Sequence, residues 1–191
     1  MMKSVEKAIE IGVPQTKFAF IHAVGVFNHT SEGKWEVKLQ TLRDFGFSDK
    51  GIVTMFRKHP VVFSVSGDKL KNKIEFLLAT GKFNISDIVT CPVALGYNIE
   101  KRLEPRLQIL KLLERRNLIE KWPALSVLSI ITDTEFFDRF SKPYCDVIGE
   151  EQITKHVRVL VLIARPEIRN IGVTCSDLIC LCRIFSDFLG L

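Results

Sequence analysis

One signature recurs three times along the chain at near-constant spacing, and this self-similarity most constrains the fold. Trp35, Lys38, Leu39 and Leu42 return 35 residues later as Leu70, Lys73, Ile74 and Leu77, and after a further 33 as Leu103, Arg106, Leu107 and Leu110. Each set reads apolar, basic, apolar, apolar at i, i+3, i+4 and i+7, which is the stripe of an amphipathic helix. A period of this length marks stacked supersecondary units, because one helix pair alone cannot bury its apolar face.

The stop and start signals recur with the stripe. Gly46 and Gly81 follow the first two stripes, Gly12 stands 34 residues before Gly46, and Asn117 follows the third stripe. Gly, then Asn, best tolerates the left-handed turn that ends a helix. Ser48-Asp49 and Ser86-Asp87 then predict the N-caps of second helices. Those helices are predicted to end before His59-Pro60 and Cys91-Pro92, since proline lacks a donor and restrains its predecessor. The apolar residues after each proline predict one turn of 3-10 helix packed under the next pair. The expected fold is therefore all-α: an α-solenoid of helix pairs with short 3-10 turns over residues 1–150, followed by a divergent apolar tail, 151–191. No period-2 pattern persists, and the β-branched run 157–163 stands alone.

Composition narrows the function classes. Five cysteines, odd in number and crowded toward the C-terminus, do not form the even framework of a secreted disulfide scaffold. The most apolar run, 157–164, is too short to span a bilayer and contains Arg158. The first 20 residues lack the apolar core of a secretory signal and carry Glu6 and Glu10, unlike an Arg-rich transit peptide. Enzyme motifs are absent: there is no Gly-rich phosphate loop, no Gly-x-Ser-x-Gly and no His-Glu-x-x-His. His22, His29, His59 and His156 are scattered, and Cys175, Cys180 and Cys182 have no second pair, so no metal or cofactor is expected. Asp177 and Asp187 argue against the tail lying on anionic lipid, and the tail is expected to be the least ordered part.

Several of these residues, in order, resemble the mitochondrial transcription termination factor (mTERF) family, especially its land-plant members. The run begins with Phe45-Gly46-Phe47-Ser48, Met55-Phe56-Arg57-Lys58-His59-Pro60 and Lys73-Ile74-Glu75-Phe76-Leu77-Leu78. It continues with Lys101-Arg102-Leu103-Glu104-Pro105-Arg106, Trp122-Pro123, and Phe136-Phe137 with Phe140, Pro143 and Tyr144. The resemblance implies helix pairs each followed by a 3-10 helix. It also implies a basic groove for nucleic acid, and work in mitochondrial or chloroplast transcription, termination or RNA processing. It further implies a transit peptide and more repeats ahead of residue 1, so the chain reads as a truncated member.

The basic residues are the functional candidates. The net charge is +5, and residues 101–122 hold seven basic residues against three acidic ones. Lys38, Lys73 and Arg106 share one repeat position, so they form either a ladder that tracks phosphates or snorkelling side chains at the core edge. Three neutralised phosphates would give a log K against log salt slope of about −2.7 on duplex DNA. Arg57, Lys58, Arg102, Arg115 and Arg116 complete the candidate nucleic-acid-binding set. Arg57 and Lys58 also sit where a helix C-terminus attracts cations regardless of ligand. The expected function is non-enzymatic binding of double-stranded DNA or structured RNA by a monomer, without membrane. The alternative is a protein-interaction solenoid or an inactive truncated product.

Overall fold

A computed structural model describes residues 2–144. The expectations for residues 151–191, on order, cysteines and lipid, lie outside the described residues. Nine α-helices occur among the described residues, with no strand: α1 (Met2–Glu10), α2 (Phe18–His29), α3 (Glu32–Asp44), α4 (Asp49–Lys58), α5 (Gly67–Ala79), α6 (Ile85–Thr90), α7 (Glu104–Arg115), α8 (Leu125–Ile130) and α9 (Asp133–Phe140). Short 3-10 helices cover Pro60–Ser64, Pro92–Gly96 and Lys142–Tyr144, and a single π-helical stretch, Ile99–Leu103, precedes α7. The described chain forms two compact units, residues 2–99 with 122–130, and residues 100–121 with 131–144.

The first unit holds the helix pairs α1–α2, α3–α4 and α5–α6, with α8. The turns between paired helices follow the predicted stops. Gly46 has φ +92° and Gly12 has φ +80°, a region that a β-carbon disfavours. The N–H of Phe47 donates to the Leu42 carbonyl at 3.1 Å and that of Gly46 donates to Arg43 at 2.8 Å. This is a Schellman ending, which satisfies carbonyls that the helix leaves open. Val13 donates to Ala8 and Leu118 to Leu113 in the same six-to-one pattern. Asn117 has φ +57°, as the third stripe predicts.

The N-caps agree at one site and differ at another. Ser48 Oγ accepts the Gly51 N–H at 3.1 Å and starts α4. The second cap is Asn84, not Ser86. Asn84 Oδ1 accepts the Asp87 N–H at 3.1 Å while Asp87 Oδ2 accepts the Asn84 N–H at 2.9 Å. This reciprocal box satisfies two open donors, where a Ser at position 86 would satisfy one. Both prolines open 3-10 helices as predicted, with His59 and Cys91 as the capping residues before them.

Burial matches the stripes. Leu42, Leu70, Ile74 and Leu77 are 0–1% exposed. Phe56 and Phe63 are buried, and with half-buried Trp35 and Phe27 they form a cluster whose ring centroids are 5.0–5.6 Å apart. Phe76 is only half-buried. Val62 and Phe63 from the first 3-10 helix, and Ala94 and Leu95 from the second, also lie in the core.

The second unit packs α7 against α9. Leu103, Leu107, Leu110, Leu113 and Phe136 are buried there. The third repeat departs from the first two because no proline follows its second helix. Thr132 caps α9 directly, its Oγ1 accepting the Glu135 N–H at 3.1 Å. No helix among the described residues is long and apolar enough to cross a membrane.

Candidate nucleic-acid interface

The recurring basic position has a structural use in every repeat. Lys38 is 6% exposed, and its Nζ donates to the Phe63 carbonyl at 2.6 Å. Lys73 Nζ donates to the Leu95 carbonyl at 2.7 Å. Phe63 and Leu95 are the fourth residues of the two proline-led 3-10 helices. The last carbonyls of such a turn have no partner within it, and a buried orphan carbonyl is costly. A lysine from the first helix of the same repeat supplies the missing donor.

Arg106 does the same in the third repeat with a different acceptor. It is fully buried, and its Nη2 donates to the Ile131 carbonyl at 2.9 Å and to Asp133 Oδ1. Its guanidinium also lies 4.9 Å over the Phe136 ring, a favourable cation–π contact. Arg102, one turn earlier, donates to the same Ile131 carbonyl at 2.8 Å and lies 3.9 Å from Asp133 Oδ1. Even the first helix pair keeps the position polar. Ser4 stands eight residues before Gly12, as Lys38 stands before Gly46, and its Oγ donates to Asn28 Oδ1 at 3.1 Å.

This corrects the sequence reading of a phosphate ladder at Lys38 and Arg106. Neither side chain reaches the surface, so neither is placed to meet a phosphate. Lys38 and Arg106 do not snorkel either; they and Lys73 each donate to a main-chain carbonyl. Burial pushes the Lys38 and Lys73 amines below the ordinary lysine value, and Lys34 and Lys69 push in the same direction. Lys73 is half-buried and Arg102 likewise.

Arg57 and Lys58 are exposed at the end of α4 but are also engaged. Arg57 Nε donates to the Ile11 carbonyl at 2.6 Å, just beyond α1, and its Nη2 would lie 2.7 Å from a β-carbon on Gly12. Lys58 Nζ donates to Thr90, the last residue of α6, at 3.1 Å. The end of α4 thus ties the helix pair before it to the pair after it. Both contacts place a cation where the helix dipole is negative.

Arg115 and Arg116 are exposed at the C-terminus of α7. With Lys111, one turn back from Arg115, they have no side-chain hydrogen-bond or ion-pair partner among the described residues. Of the candidate set, only these two arginines present charge outward with no internal use. Two exposed lysines were not singled out by the stripe because they flank it. Lys34 and Lys69 lie four residues before Lys38 and Lys73, and they share the same 35-residue spacing, the signal that could have found them. No group of three His, Cys, Asp or Glu side chains suited to a metal occurs among the described residues.

The comparisons agree with this architecture. The sequence model of the mTERF family matches residues 3–137. Among curated proteins the chain is similar to transcription termination factor MTERF8, chloroplastic, of Arabidopsis thaliana, at 24% identity over 100 residues. That alignment covers 52% of this chain and 20% of the relative, so the chain spans about a fifth of the relative's length. No solved structure matches the chain. With a family match over more than half its length, repeated helix pairs and proline-led 3-10 turns, the chain is a member of the mTERF family.

Proposed function

We propose that this chain binds double-stranded DNA or structured RNA through backbone phosphates. In that role it acts without catalysis on transcription, its termination or RNA processing in a chloroplast or mitochondrion. Family membership supports organellar nucleic-acid-binding regulation, and the relative's name places that protein in the chloroplast. The observation that carries the phosphate reading is the outward set Lys111 and Arg115 on α7 with Arg116 just after it, free of internal partners among the described residues. Three such contacts would give a salt slope of about −2.7 on duplex DNA. The test is a salt titration of binding to a labelled duplex and to a structured RNA of equal length. A slope at least this steep supports the reading, and binding that does not weaken with salt contradicts it.

A second reading, a protein-interaction module, is favoured by one observation. Phe18 and Ile21 on α2 are 85% and 68% exposed, an apolar face of the kind that protein partners cover. An apolar contact would show the flat salt dependence that separates the two readings.

A further inference from the structure

The repeat carries two cationic positions, four residues apart, with opposite fates. The inner position, Lys38 and Lys73, is spent on the 3-10 carbonyls. The outer position, Lys34 and Lys69, is exposed and has no partner among the described residues. Residues four apart on a helix share a face, so each outer lysine stands one turn from the inner one. Burial first, and the like charge of Lys34 and Lys69 second, lowers the Lys38 and Lys73 amines. Nearby acids do not offset that like charge. Glu32 pairs with Lys7 at 2.9 Å, Glu36 with Arg43 at 3.0 Å, and Glu75 with Lys71 at 3.9 Å. Asp68 adjoins Lys69 in sequence, where helical side chains do not face each other.

The outer position is thus an exposed cation without a partner among the described residues, at the same register of two successive repeats. We propose that Lys34 and Lys69 take backbone phosphates of nucleic acid, one rung per repeat. This rests on the nucleic-acid reading above and assigns residues to it. The helices that carry them, α3 and α5, pack together, and a β-carbon on Gly67 at the start of α5 would lie 3.9 Å from Val37 of α3. In the third repeat the outer position is Arg102, which is turned inward to Ile131, so the pattern is specific to the first two full repeats.

The test compares salt titrations on one labelled duplex for the wild type, Lys34→Gln/Lys69→Gln, and the off-register control Lys17→Gln/Lys50→Gln. Lys17 and Lys50 are exposed and equal in charge to the outer pair. The expected result is a slope less steep by about 1.8 in the first variant, a wild-type slope in the control, and a melting temperature in the first variant equal to or above the wild type. A wild-type slope in the first variant, or an equal loss in the control, overturns the assignment while leaving nucleic-acid binding intact. Binding by the wild type that is absent or insensitive to salt overturns the nucleic-acid reading and this assignment with it.

Discussion

Arg106→Ala is expected to destabilise the protein by about 3–5 kcal/mol, the cost typical of removing one partner from a buried ion pair. The guanidinium is fully buried, and one of its nitrogens serves two acceptors, the Ile131 carbonyl and Asp133. Alanine leaves Asp133, 20% exposed, with Arg102 at 3.9 Å in place of its close partner, and opens a gap over the Phe136 ring. Asp133 sits in the first turn of α9, where the dipole partly holds its charge, which places the loss toward the lower end. At about 2–4 °C per kcal/mol for a chain of this size, the melting temperature should fall by on the order of 10 °C. Arg106→Lys should recover only part of this, because an ammonium lacks the planar guanidinium that stacks over the Phe136 ring. Thermal and urea melts of the two variants check the order.

Phe56→Ala is the second large effect, at about 3–5 kcal/mol. Phe56 is 1% exposed and contacts Phe27, Trp35 and Phe63 with centroids 5.1–5.3 Å away. Those three rings come from α2, α3 and the first 3-10 helix, so one deletion loosens the packing of successive helix pairs. A close-packed interior does not collapse fully around such a hole, and the cavity adds to the lost transfer energy. Phe76→Ala, at a half-buried site on α5, should lose distinctly less. Equal losses for the two would mean that the cluster has no special weight.

Most of the fold was legible because each signal acts locally. The glycines at 12, 46 and 81 and Asn117 mark left-handed turns that other residues resist, and all four carry positive φ. His59-Pro60 and Cys91-Pro92 stop helices for covalent reasons. The cap at Asn84 was missed because Ser86-Asp87 and Asn84 with Asp87 are both plausible starts, and only the reciprocal bonds favour the latter. The missing proline turn in the third repeat was legible, but its consequence was not. It leaves Ile131 as the carbonyl that Arg106 and Arg102 must cover.

The site was less legible for a physical reason. A stripe tells which face a side chain shares, not what lies opposite it. The acceptors for Lys38, Lys73 and Arg106 lie 22–25 residues further on, in segments whose carbonyls carry no side-chain signature. The regularity that suggests a ligand ladder is the regularity of an interior bond repeated with the fold. The exposed position one turn away, Lys34 and Lys69, has the same 35-residue spacing but flanks the stripe.

The central claim is that the recurring inner cation holds the repeat together and does not hold phosphate. Lys73, half-buried and bonded to Leu95, is the member on which the two roles are most evenly matched. The most direct test measures both the melting temperature and the duplex-binding salt slope of Lys73→Met. The account predicts a lower melting temperature, from about 1–3 kcal/mol for the orphaned carbonyl, with an unchanged slope. A slope less steep by about 0.9 at an unchanged melting temperature would contradict it and make Lys73 a phosphate ligand.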